Sequence, residues 1–133
     1  MAGMRRVVFG LVVLLAVAFA ADTDLTGGFA GTWKNETTGD SGALRFTLKN
    51  TAGNWTAEAG ITYQGAELVG TTQSLKVENG KLELVYDCNV QGSNVRIIQR
   101  GQWNGTEFSG TFSGLLVDSG EQVGGGPWSA KRK

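Results

Sequence analysis

The sequence predicts an all-β fold: an eight-stranded antiparallel up-and-down meander closed into a barrel and preceded by a signal peptide, with a two-sheet β-sandwich as the alternative. Three observations predict it. Turn signals recur at Ala52-Gly53, Gln64-Gly65, Asn79-Gly80, Gln91-Gly92 and Asn104-Gly105. Asn-Gly between alternating runs is the strongest of these, because both residues tolerate the positive φ of a type I′ hairpin turn. Between the turns, apolar residues recur at every second position, the strand period, and no stretch of helical period is long enough to matter. Proline occurs once, at Pro127.

Residues 1–20 read as a secretory signal peptide. Arg5 and Arg6 make a basic start, Val7 to Ala21 is an unbroken apolar run of 15, and Ala18-Phe19-Ala20 places small residues before a cleavage point. The run is shorter than the roughly 20 apolar residues of a membrane span, so no stable membrane anchor is expected. Arg5-Arg6 resembles a twin-arginine signal, but its flanks are poor and the general secretory route is expected. The single cysteine, Cys88, is far from the cleavage point, so it carries no lipid there and has no disulfide partner in the chain. Its strand position suggests a buried small hydrophobe. The mature protein, residues 21–133, is expected to be secreted or periplasmic.

Removing Arg5 and Arg6 with the leader takes the basic count from 12 to 10 against 12 acids, a net charge near −2. Nucleic acid and anionic membranes both require a basic surface and are not expected partners. Lys131-Arg132-Lys133 reads as a solvated end. Asn35-Glu36-Thr37, Asn54-Trp55-Thr56 and Asn104-Gly105-Thr106 fit the N-glycosylation pattern but read first as turn chemistry.

Strands are expected near 30–37, 43–50, 54–63, 66–78, 81–90, 93–103, 106–115 and 126–132. Opposed residues in a hairpin share a face, which makes the reading self-checking. About Ala52-Gly53, Leu48 meets Ala57, Phe46 meets Ala59 and Leu44 meets Ile61. About Asn79-Gly80, Val77 meets Leu82 and Leu75 meets Leu84, with Lys76 and Glu83 as a charge pair on the other face. About Gln91-Gly92, Cys88 faces Val95, Tyr86 faces Ile97 and Leu84 faces Gln99. With Asn104-Gly105 as a two-residue loop, Gly101 opposes Phe108, Gln99 opposes Gly110 and Ile97 opposes Phe112. The alternation breaks once, because Leu68 and Leu75 must both face inward across an odd step. A bulge or bend at Gly70 to Thr72 is therefore expected. Closure removes the exposed edges of such a meander, and eight strands enclose room for side chains or one small ligand.

Gly31-Thr32-Trp33, after the lead Asp24 to Gly28, resembles the G-x-W start of lipocalins and avidin-like proteins. With a final strand such as Trp128 to Arg132, the mature stretch is similar to small secreted bacterial lipocalin-like barrels of calycin type. The resemblance implies that Trp33, beside Gly31, closes one end of the barrel. Gly31 to Asn35 is also similar to the first avidin strand, whose asparagine binds biotin, but the later biotin motifs have no match and biotin is not expected. Some barrels of this type inhibit secreted proteases through an extended N-terminal segment, which here would be Ala21 to Phe29.

No catalytic residues, metal ligands or cofactor are expected. Histidine is absent, which removes the commonest general base and metal ligand. Gly39-Asp40-Ser41-Gly42 imitates a protease nucleophile segment, but no Ser-His-Asp triad can form and a turn is the better reading. Glu58, Glu67, Glu83 and Asp87 are expected on outward faces, and no EF-hand spacing appears. A non-enzymatic binding function is better supported. Gln73, opposite Tyr86, and Gln99 one strand on would form a polar ledge inside the barrel, with Tyr63 and Trp103 completing the candidate ligand-binding set. Gly101, Gly110 and Gly114 would leave room for a small apolar or amphipathic ligand. Such a site requires a cavity of about 300 Å³ or more. The alternative is a protein-interaction module, including a secreted inhibitor, with a filled core: the glycines would then accommodate Phe108, Phe112 and Trp103, and a partner would use the outward pair Val85 and Ile98.

Mass spectrometry of the exported protein should show a terminus near Ala21 or Asp22; an intact Met1 on a folded extracytoplasmic product would defeat the signal-peptide reading.

Overall fold

A computed structural model of the chain describes residues 24–133, so the expected leader and its cleavage point lie outside the described residues. The architecture is all-β, a nearly closed antiparallel barrel of nine strands. They are β1 (Gly27–Lys34), β2 (Ser41–Thr51), β3 (Asn54–Tyr63), β4 (Ala66–Val69), β5 (Thr71–Glu78), β6 (Lys81–Val90), β7 (Ser93–Trp103), β8 (Glu107–Leu116) and β9 (Gln122–Arg132). The sheet runs β4-β3-β2-β1-β9-β8-β7-β6-β5. First and last strands pair directly, from Phe29 opposite Arg132 to Trp33 opposite Trp128.

The expected count of eight strands is corrected to nine by the break at Gly70. The fourth passage bends there, so that β4 pairs only with β3 and β5 pairs only with β6. The barrel's seam therefore falls inside one continuous stretch of chain. Two hydrogen bonds hold it, from the Gly70 amide to the Ala59 carbonyl at 2.8 Å and from the Thr72 hydroxyl to the Ala57 carbonyl at 2.8 Å. A Cβ on Gly70 would lie 2.4 Å from Cδ2 of Tyr86, so the residue that bends the chain must also lack a side chain. The odd step expected between Leu68 and Leu75 is present. Its extra residue is Gln73, at a register shift between Thr72 and Ser74, just beyond the expected Gly70 to Thr72.

Four hairpins keep the expected registers. Ala52, Gln64, Asn79 and Gln91 have φ of 54°, 50°, 53° and 51°, each followed by a glycine of positive φ, as type I′ turns require. The fifth hairpin differs. Trp103 pairs with Phe108, Gly101 with Gly110 and Gln99 with Phe112, two residues from the expected register. Asn104 is responsible, because its side-chain oxygen accepts from the amides of Thr106 and Glu107 and from the Thr106 hydroxyl, each at 2.9 Å. This Asx arrangement builds a longer loop than a two-residue turn. An even shift leaves every side chain on its expected face.

The ends of the chain's first and last strands also move. β1 stops at Lys34 rather than 37, since the Asn35 amide donates to the Asp40 carbonyl at 2.7 Å and the Asn35 side-chain oxygen accepts from the Thr37 amide at 2.9 Å, turning the chain out of the sheet. Lys76 lies opposite Glu83 as expected, but the Glu83 carboxylate makes its ion pair with Arg100 at 2.8 Å. Glu58, Glu67 and Asp87 likewise face outward, to Lys49, Arg45 and Arg96. An outer face laced with cross-strand ion pairs is opposite in character to the apolar band of a lipid-facing barrel.

Gly70→Ala should lower stability by about 1–3 kcal/mol, the range for overpacking a close contact. Urea unfolding checks this, and an unchanged midpoint would mean that Tyr86 does not fix the seam.

Candidate functional site

The two ends of the barrel are built differently. At one end Leu25, Phe29, Phe46, Leu48 and Phe108 are buried, with Phe29 stacked on Phe46 at 5.2 Å between ring centroids and edge-on to Phe108 at 5.1 Å. The Arg132 guanidinium covers this plug, 5.1 Å from the Phe29 ring and 5.3 Å from the Trp103 ring, and donates to the Thr26 carbonyl at 2.9 Å. At the other end lies a cavity of about 250 Å³. Its rim is formed by the 35–40 loop and by the start of β9, and a hydrogen bond of 3.0 Å from Gln91 Nε2 to Gln64 Oε1 joins two neighbouring hairpin turns. This is neither a filled core nor the space of about 300 Å³ set for a typical ligand site.

The floor is made by Tyr86, Gln99 and Trp128, all buried. Tyr86 and Gln99 point inward because they alternate with Val85 and Ile98 on neighbouring strands β6 and β7. The Tyr86 hydroxyl donates to Gln99 Oε1 at 3.3 Å, a long bond. Burial, with a smaller contribution from Cys88, raises the Tyr86 pKa far above its usual value, so the hydroxyl remains a donor at neutral pH. Gln99, 2 % exposed, has no hydrogen-bond partner for its Nε2. An orphaned buried donor carries a desolvation cost of roughly 1–3 kcal/mol, so this amide is a feature to be explained.

The walls are largely apolar and aromatic. Trp33 stacks on Tyr63 at 6.1 Å and meets Phe112 edge-on at 5.9 Å, while its indole N–H donates to the Ala43 carbonyl at 3.1 Å. At the rim the Tyr63 hydroxyl donates to Asp40 at 3.3 Å, and its pKa is raised by burial first and by the Asp40 charge second. Asp40 also accepts from the Thr38 hydroxyl, and Gly39 and Asp40 lie in the loop as expected, whereas Ser41 and Gly42 already belong to β2. Buried Cys88 has its thiol pushed up to about 11 by burial and then by Asp87, which keeps it protonated and unreactive at neutral pH.

Of the five candidate residues, Tyr63, Tyr86 and Gln99 come together around this cavity. Gln73 does not. It is the bulge residue, exposed, with its amide on the Thr71 carbonyl at 3.3 Å, and Thr72 occupies the place opposite Tyr86. Trp103 is also corrected, since it packs at the plugged end against Phe108 at 5.1 Å. Trp33 lines the cavity, at the end of the barrel opposite the aromatic plug. Gly31 is structural by close approach, as a Cβ there would overlap the Ser129 carbonyl of β9.

Of the three glycines expected to leave room, only Gly114 faces the cavity. A Cβ on Gly101 would lie 2.4 Å from the Trp128 ring, and Gly110 lies against the Arg100 carbonyl. Trp128, missed by the sequence reading, fills that space and donates to the Arg100 and Thr111 carbonyls at 3.0 and 3.1 Å. The double gap that admits the ring, Gly101 paired with Gly110, exists only in the observed register, since the expected two-residue loop sets Gly101 opposite Phe108.

Other expected surfaces gain little from the geometry. Val85 and Ile98 are opposed as expected, half-buried, and bracketed by the Asp87–Arg96 and Glu83–Arg100 ion pairs. Leu25 and Phe29, from the segment considered for an inhibitory arm, are anchored in the core.

Tyr86→Phe should cost about 1–2 kcal/mol by leaving both ends of the Gln99 amide unpartnered, while Tyr86→Phe with Gln99→Leu should recover most of that loss. Chemical denaturation of the two single variants and the double variant measures the coupling; additive losses would show that the pair does not act as a unit.

No protein-family model matches the chain and no curated protein matches it; its architecture therefore rests on its own geometry, a nearly closed antiparallel barrel packed at one end and hollow at the other.

Proposed function

We propose that this chain is a secreted, lipocalin-like, non-enzymatic binding protein that holds a small, mostly apolar molecule in the open end of its barrel. One observation carries the reading: an uncharged, largely apolar cavity of about 250 Å³ opens at one end of the barrel, with the hydrogen-bonded Tyr86–Gln99 pair among its lining residues. Ligand sites are mostly apolar concavities with a few convergent polar groups, and that combination is present here at reduced scale. The volume favours a ligand well below drug size. An apolar engineered cavity of about 150 Å³ takes up benzene, so about 250 Å³ suits a molecule somewhat larger than one bare ring. Export fits the leader expected from the sequence.

Gly114 supplies the test. A Cβ there meets Val95, Ile97 and Val123 side chains at 3.7–3.8 Å, ordinary contact distances. Gly114→Val should fill part of the cavity while preserving the fold. The wild type should take up 1-aminonaphthalene with a blue shift of its emission and a stoichiometry near one, and the variant should lose at least tenfold in affinity. No uptake by the wild type, or equal uptake by a folded Gly114→Val, would overturn the reading.

A further inference from the structure

The corner of the mouth where Tyr63 meets the 35–40 loop specifies the occupant further, given the binding function proposed above. Two side chains that line the cavity, Thr38 and Tyr63, donate from their hydroxyls to the same oxygen of Asp40, Oδ2, at 3.0 and 3.3 Å. The carboxylate therefore stands at the edge of the cavity, half-buried, within one hydrogen bond of its wall. Among the described residues it pairs with no Lys or Arg: Arg45, Lys49, Arg96 and Arg100 are engaged by Glu67, Glu58, Asp87 and Glu83 on the outer face. The ring of the same Tyr63 stacks on Trp33, which Phe112 meets edge-on, so a carboxylate and a cluster of aromatic rings share one corner.

The surroundings of the mouth have one sign. The loops that join strands at this end, 35–40, 64–65, 91–92 and 117–121, carry Glu36, Asp40, Asp118 and Glu121 and no Lys or Arg. Lys34, the last residue of β1, alternates with inward-facing Trp33 and so faces outward. No Lys, Arg, Asp or Glu lines the cavity itself. An anion approaching this mouth meets like charge and finds no cation inside to replace its hydration. A cation is drawn to it, and aromatic rings with a carboxylate are the groups that hold an ammonium. The apolar interior cannot take the charge, so the charge stays at the mouth while an uncharged body enters between Ile61, Ile97 and Phe112. The rings of Trp33, Phe112 and Trp128 suit a flat aromatic body.

We propose that the occupant is a small aryl-alkyl amine of about ten non-hydrogen atoms, with its ammonium on the Asp40 carboxylate at the mouth and its ring in the apolar interior. The size follows from scaling the benzene-binding cavity to this one.

The test compares phenethylamine, phenethyl alcohol and hydrocinnamate, which share a ring and a two-carbon arm and differ in the charge of the head. Each is titrated into the mature protein at neutral pH and followed by tryptophan fluorescence and calorimetry. Phenethylamine, a cation at this pH, should bind about tenfold more tightly than the alcohol, the factor expected of one hydrogen bond to a charged group, and hydrocinnamate should bind more weakly than the alcohol. In Asp40→Asn, which keeps an acceptor for Thr38 and Tyr63, the advantage of the amine over the alcohol should fall to near unity. Equal binding of amine and alcohol to the wild type, or an unchanged advantage in a folded Asp40→Asn, would overturn the amine assignment while leaving the binding function in place. Hydrocinnamate binding most tightly, or failure of all three compounds while 1-aminonaphthalene binds, would overturn it as well. Failure of all three together with 1-aminonaphthalene would overturn the binding function itself. The comparison on the wild type decides the assignment even if Asp40→Asn does not fold.

Discussion

The contact between the Tyr86 ring and the bare backbone of Gly70 is the constraint on which the rest of the barrel depends. A sheet that curls into a barrel has to bring two edges together, and in an up-and-down meander the obvious place is between the termini. Here the termini pair by regular ladder bonds, and the misfit is displaced into the fourth passage. Gly70 lets the chain change partners from β3 to β6 within one residue, and the ring of Tyr86 lies where a side chain would otherwise stand. The same ring carries the hydroxyl that reaches Gln99. Barrel closure and cavity floor are thus two ends of one side chain, so the geometry of the seam sets the geometry of the site.

Hairpin chemistry was the most legible part of the sequence. Where a residue at φ near 50° is followed by glycine, the turn has one length, and the register of both flanking strands follows for their full extent. Asn104-Gly105 has the same appearance, but an asparagine oxygen with three donors in reach makes a different loop, and that competition is decided by local side-chain geometry. The odd step near Gly70 was legible as a count. Its position was not, because a bulge at Thr72 or at Gln73 leaves Leu75 and Val77 on the same face.

The site was half legible for a related reason. Tyr86 and Gln99 belong to hairpins with secure registers, so their inward direction followed from alternation alone. Gln73 fell on the wrong side of a one-residue ambiguity, and in a strand one residue exchanges inside for outside. Facing inward also does not say which end of the barrel a residue serves. Trp103 and Trp33 both point in, yet one belongs to the plug under Arg132 and the other to the cavity wall. Trp128 escaped notice because what reveals it is the absence of side chains on two neighbouring strands.

The first described residues and the C-terminal residues meet at the plugged pole. Arg132 spans from the aromatic plug to the carbonyl of Thr26, and the Lys133 amide donates to the Gly28 carbonyl at 3.0 Å. The mouth, by contrast, is ringed by the 35–40 loop, the start of β9 and two hairpin turns. The barrel therefore has a tethering pole and a receiving pole: a support attached through the residues around Gly28 and Arg132 sits on the side away from the opening, and loops around the opening can vary in length without disturbing that attachment.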